Sequence, residues 1–157
     1  YRWINDQEVL EPRLSTTIQK PSKALSKIAE ELANHYERGY IAAWANLYRD
    51  GGDGVAWHGD RHRPGSLHGD VALVSVGARR TLRIRCRGGG SSRAWILASG
   101  DLLVMRGPVQ QRFEHCIPKS ASAGPRISIV FRCPEGREFD QSIRSGPTGL
   151  RRYDRRL

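Results

Sequence analysis

A chain of 157 residues fits one domain and is long enough to bury a single core. With 38% hydrophobic and 27% charged residues it reads as an ordinary globular chain, and no stretch approaches a membrane span or a charged-then-apolar leader. Lys plus Arg number 26 against 16 for Asp plus Glu, a formal charge of +10 whose field favours polyanionic partners, nucleic acid first and an anionic membrane surface second.

Residues 1–20 read as an irregular polar segment on the substrate side, carrying Tyr1 and Trp3 and the turn-prone Glu11-Pro12-Arg13. From Pro21-Ser22 the period becomes helical: Leu25, Ile28, Ala29, Leu32 and Tyr36 share one face, which predicts a helix over about 23–38 stopped at Gly39. Tyr40–Tyr48 then reads as a strand, closed by the turn cluster Asp50-Gly51-Gly52-Asp53-Gly54, and Val55–His58 resumes extended structure. Val71–Val76 is a continuous apolar run suited to a buried strand. Arg80–Arg87 alternates, with Leu82, Ile84 and Cys86 on one face and Arg83, Arg85 and Arg87 on the other. The Gly88–Ser92 turn pairs it with Ala94–Leu97, and Leu102–Met105, Arg112–Ile117 and Arg126–Cys133 complete the strands. Seven or eight short strands separated by turns, with one helix, predict an α+β, mainly β domain over 21–133, built as a double-sheet barrel or sandwich. Residues 134–157 read as a basic tail.

The three cysteines, Cys86, Cys116 and Cys133, form neither a disulfide framework nor a zinc spacing. They read as small buried hydrophobes in a reducing, cytoplasmic setting, and a monomer with no membrane partner is the expectation.

His58-Gly59-Asp60 with the distant His115 supplies two imidazoles and one carboxylate, the set that leaves positions open on a non-haem iron(II) ion. The H-x-D pattern also occurs at His68-Gly69-Asp70. The first copy is preferred because it ends an extended segment, where a ligand gains rigid support. Arg126 and Arg132 are six apart, so a strand places both on one face. Two guanidinium groups aimed into one interior suit a dicarboxylate, although a solvated arginine face gives the same pattern. Asn46 and Tyr48, two apart, offer an amide and a phenol to the same ligand.

Taken together, Asn46-x-Tyr48, His58-x-Asp60, His115 and Arg126-x5-Arg132 resemble the AlkB family of oxidative dealkylases, from about Ala42 to Arg132. The resemblance implies a double-stranded β-helix (jelly-roll) core with the helix outside. It implies iron(II) on His58, Asp60 and His115 as the catalytic centre, with molecular oxygen and 2-oxoglutarate as co-substrates. Arg126, Asn46 and Tyr48 would take the distal carboxylate, with Ser128 beside them and Arg132 at the metal end. It further implies oxidative demethylation of N-alkylated bases in DNA or RNA, with formaldehyde and succinate released and the base drawn out of its stack. Family members often carry acidic residues after the metal aspartate; here Arg61-His62-Arg63 follow, suiting contact with phosphates. Trp3, Trp57, Arg61 and His62 are the candidate substrate contacts. Two alternatives stay open: the same iron chemistry on a protein or small molecule, and a non-catalytic nucleic-acid-binding jelly roll. An arginine ridge of Arg83, Arg85 and Arg87, with Arg79, Arg80 and Arg93 nearby, reads as a backbone track or as a solvated face.

Overall fold

The alternating strands assemble into two facing antiparallel sheets. The protein is described by a computed structural model over residues 2–4, 7–9, 14–60, 69–106 and 108–133. Its elements are β1 (Arg2–Ile4), β2 (Gln7–Val9), β3 (Leu14–Thr17), α1 (Lys23–Tyr36), β4 (Ile41–Tyr48), β5 (Val55–His58), β6 (Val71–Gly77), β7 (Arg80–Cys86), β8 (Ser92–Leu97), β9 (Leu102–Met105), α2 (Pro108–Arg112), β10 (Phe113–Ile117) and β11 (Arg126–Arg132). The larger sheet runs β3-β4-β11-β6-β9 and the smaller β5-β10-β7-β8; β1 and β2 form a separate hairpin. This is the predicted jelly-roll architecture, mainly β with a helix on the outside.

Period-2 alternation decides which side chains meet between the sheets. Tyr48, Leu73, Leu82, Ile84, Met105 and Val130 belong to one buried cluster there. Phe131, Ala72, Ala42 and Tyr40 point the other way and pack under α1 through Leu32, Leu25, Ile28 and Ala29. The helical apolar stripe is thus the lid of a second core on the outer face of the larger sheet. Phe131 and Leu82 are fully enclosed, and each such burial stabilises by about 1.5–3 kcal/mol. Ser22 caps α1 by accepting from the Leu25 amide. The helix stops two residues earlier than its period suggests, because Glu37 takes the left-handed conformation (φ 54°) and the Arg38 amide donates back to Ala33.

Several expectations change. Residues 1–20 are not all irregular: β1 pairs with β2, and β3 adds an edge strand to the larger sheet by pairing with β4. Cys86 is exposed and Cys133 only half-buried, so of the three cysteines Cys116 alone is the buried hydrophobe expected. Cys86 is the last residue of β7, where the strand gives way to its turn. The arginine ridge is also broken up. Arg80 is buried rather than on a surface, and Arg85 is ion-paired to Glu114 at 2.6 Å. Among the described residues no helix is long and apolar enough to cross a membrane. The tail at 134–157, together with Tyr1, Arg61, His62 and His68, lies outside the described residues.

Candidate metal centre and co-substrate pocket

The pairing of β5 with β10 sets His58 directly opposite His115. Their rings lie 4.3 Å apart between centroids. Asp60 follows two residues beyond His58, and one potential ligand atom from each of the three lies within 4.8 Å of the others. The His58 Nδ1 faces the Ala56 carbonyl at 2.8 Å, which assigns the proton to Nδ1 and leaves Nε2 as the electron-pair donor. Burial, then the neighbouring His58, pull the His115 pKa down to about 4, with Asp60 opposing them. His115 is therefore a neutral imidazole at pH 7, the form a metal binds. Arg132 holds Asp60 Oδ1 at 3.2 Å while its guanidinium lies 4.5 Å from the Trp44 ring centre. Asp60 Oδ2 is buried and receives no hydrogen bond from the described residues.

The duplicate motif has a different fate. Asp70 is buried, ion-paired to Arg106 at 3.1 Å and to Arg38 at 3.6 Å, so its carboxylate is occupied in tying β6 to its surroundings. Cys116 follows His115 on β10, opposite Arg83, whereas His115 is opposite the core residue Ile84. Burial raises the Cys116 pKa, which keeps it a thiol.

On the larger sheet the register places Arg126 against Tyr48, Ser128 against Asn46 and Val130 against Trp44. The inward row of β4 is therefore Trp44, Asn46 and Tyr48, and that of β11 begins with Arg126, Ser128 and Val130. After Val130 the β4 pairing skips Ala43, and Phe131 pairs with Ala42. The extra residue is on β4, so Ala42 joins Phe131 under α1 while Trp44 packs with Val130 between the sheets; β11 keeps its alternation against β6, and Arg132 reaches the Asp60 side. Arg126 is 1% exposed. Its Nε donates to Ser75 Oγ at 2.8 Å, whereas Nη1, Nη2 and the Ser128 Oγ are buried and, among the described residues, meet no hydrogen-bond partner at full bonding distance and angle. The Tyr48 ring centre lies 5.1 Å from the Arg126 guanidinium carbon, and a weak side-chain hydrogen bond between the two partly offsets the burial of both. Burial raises the Tyr48 pKa against the pull of Arg126 and Arg80, so Tyr48 remains a neutral phenol able to donate.

The substrate-side candidates fare unevenly. Trp57 sits beside His58 and has the Arg85 guanidinium stacked 4.1 Å from its ring centre, which occupies one ring face. Trp3 lies on β1, and its side chain is outside the described set, as are Arg61 and His62. Sequence reasoning missed Trp44, Ser75 and Arg87. Trp44 was readable, being two residues before Asn46 on the same face. Ser75 was the lone polar residue of an apolar strand. Arg87 donates to the Gln110 and Gln111 carbonyls, and its guanidinium lies so close to Gly59 that a Cβ there would meet it. A side chain at position 59 would have to displace that guanidinium, and no sequence period announces the contact.

The chain matches the 2OG-Fe(II) oxygenase superfamily over residues 1–132 and belongs to that superfamily. It is 30% identical to the Arabidopsis thaliana protein named DNA oxidative demethylase ALKBH2, over 55% of this chain and 35% of that protein. It is 34% identical to the Homo sapiens protein named alpha-ketoglutarate-dependent dioxygenase alkB homolog 3, over 55% of this chain and 34% of that one. The match thus spans about a third of the length of these curated relatives. Among solved structures it is similar to OsALKBH1, with a TM-score of 0.57 at 16% identity over 72% of this chain and 66% of that one. A Pseudomonas putida prolyl-4-hydroxylase gives 0.53 at 14% identity over 80% and 77%. These two likenesses bear on the fold, and both agree with the jelly roll.

The residues fit what the family name requires. Two imidazoles and a carboxylate with one oxygen uncommitted among the described residues suit iron(II) and leave open positions. A buried guanidinium with both terminal nitrogens unsatisfied, beside a buried hydroxyl, suits the carboxylate of 2-oxoglutarate. Leaving such buried donors unpaired costs about 1–3 kcal/mol each, a cost that a bound carboxylate removes.

Proposed function

We propose that this protein removes N-alkyl groups from nucleic-acid bases by iron(II)- and 2-oxoglutarate-dependent oxidation. The observation that carries the chemistry is the pair of unsatisfied sites in one sandwich: Asp60 Oδ2 beside two imidazoles, and Arg126 Nη1 and Nη2 beside Ser128. In this reading His58, Asp60 and His115 hold iron. Arg126 grips the distal carboxylate of 2-oxoglutarate with Tyr48, Asn46 and Ser128 helping, and Arg132 orients Asp60 at the metal end. Bound iron with oxygen and 2-oxoglutarate supplies the oxidation of a methyl C–H bond, the co-substrate leaving as succinate and carbon dioxide. The hydroxylated methyl group then leaves the base nitrogen as formaldehyde.

The nucleic-acid substrate rests on the names of the relatives, DNA oxidative demethylase among them, and on the +10 charge of the chain. Incubation with iron(II), 2-oxoglutarate and oligonucleotides bearing N-methylated bases tests it, with mass spectrometry reading loss of one methylene per lesion. We expect that loss together with formaldehyde. Succinate formation with no loss on any DNA or RNA oligonucleotide would reject the substrate and retain the iron chemistry.

A further inference from the structure

Among the described residues Arg80 is the most deeply buried cation that the proposed chemistry does not use. It is 2% exposed, at the start of β7 in the smaller sheet, on the inward face it shares with Leu82 and Ile84. Its Nη1 donates to the Asp50 carbonyl at 3.0 Å, and its Nη2 donates to the carbonyls of Asp53 at 2.6 Å and Pro118 at 2.9 Å. Asp50 and Asp53 lie in the loop between β4, which carries Tyr48, and β5, which carries His58. Pro118 directly follows β10, which carries His115. One guanidinium therefore ties together the connections at the ends of three site-bearing strands. The two loops touch backbone to backbone: the Ser120 amide donates to Gly51 O at 2.8 Å, and a Cβ at Gly51 would collide with the Ser120 carbonyl. Arg80 also reaches across the sandwich, its guanidinium carbon 5.4 Å from the centre of the Tyr48 ring, the same ring that Arg126 approaches at 5.1 Å.

We propose that Arg80 is a positioning residue for the distal-carboxylate pocket: anchored on three backbone carbonyls, it holds the Tyr48 ring against Arg126 and adds a second buried positive charge behind it. The proposal rests on the co-substrate reading above. Arg126 and Arg80 share one ring and repel each other, and burial disfavours the charge of both. A dicarboxylate gains from this arrangement at its distal end, where the charges converge. A 2-oxo acid without a distal carboxylate has nothing to place there. Arg80 thus acts on the preference for 2-oxoglutarate over shorter 2-oxo acids. A lysine keeps a positive charge and donors for the carbonyls but has no plane to set against the ring.

The test is anaerobic calorimetric titration of the full chain, loaded with manganese(II), by 2-oxoglutarate and separately by 2-oxobutyrate. For Arg80→Lys and Arg80→Gln we expect 2-oxoglutarate affinity to fall about tenfold, 2-oxobutyrate affinity to change less than about twofold, and manganese affinity to be kept. An equal loss for both acids, or none for either, would overturn the proposal. So would two variants that do not fold, since Arg80 would then be a folding residue alone. If the unaltered protein binds manganese(II) but not 2-oxoglutarate, the co-substrate reading itself fails, independently of Arg80.

Discussion

His115 shows how burial prepares a ligand. The folded protein takes up its proton only near pH 4, against an ordinary value of 6.5. Between these values the unfolded chain binds the proton and the folded one does not. The metal-free protein therefore keeps this contribution above pH 6.5 and loses it as pH falls toward 4. Urea unfolding of metal-free protein at pH 7.5, 5.5 and 4.5 is expected to give falling stability, and His115→Asn is expected to flatten that dependence. A wild-type profile that is flat, or that rises on acidification, would contradict a buried neutral imidazole. His58, Asp60 and His115 were legible as a constellation because residue types in a known order carry chemistry without coordinates. The choice between Asp60 and Asp70 was less legible. It turns on where each carboxylate's charge is met: Asp70 by Arg106 and Arg38, Asp60 by Arg132 on one oxygen alone.

At the level of elements, β11 is where two cores meet. Arg126, Ser128 and Val130 face the sandwich interior, while Phe131 turns into the layer under α1. Phe131→Ala is expected to cost about 3–5 kcal/mol, because the side chain is fully enclosed between sheet and helix. A denaturant midpoint shift worth less than about 1 kcal/mol would show that α1 does not lean on this strand. The strands β4, β6, β7, β9 and β11 were readable because alternation or a long apolar run fixes them, and α1 because its stripe runs four turns. The three N-terminal strands were not readable, being three or four residues long with no period to detect. α2 spans only five residues and starts at a proline, so it too leaves no pattern. The bulge opposite Val130 was invisible for another reason. It sits in β4 at Ala43, within the apolar stretch 41–45 that has no alternation to interrupt, and β11, which carries Arg126 and Arg132, keeps its regular register against β6.

For the molecule as a whole, the positive charge is not spread evenly around the site. Cross-strand register runs His58, His115, Ile84, Arg93 over the smaller sheet, so Arg93 stands on the row and face of the metal ligands. Two strand spacings put it about 10 Å from His115, at an exposed edge strand. Arg83 belongs to the opposite face, beside Ala94 and Cys116. If nucleic acid crosses the mouth of the sandwich, Arg93→Glu should weaken binding of a single-stranded oligonucleotide and lower the salt slope by about one. Arg83→Glu, the same charge change, should do far less. Equal effects would show that net charge, and not the site-facing row, governs binding. This division of the arginines was hidden in the sequence, where Arg83 and Arg93 both read as surface charge, because it depends on strand register. The chemistry is tested most directly by incubating unaltered protein and Asp60→Ala with iron(II), 2-oxoglutarate and an N-methylated oligonucleotide. Succinate, formaldehyde and lost methyl groups are expected in equal amounts from the first. The second should still bind the oligonucleotide and yield none of them. Methyl loss that persists in Asp60→Ala, or that proceeds without 2-oxoglutarate, would contradict the account.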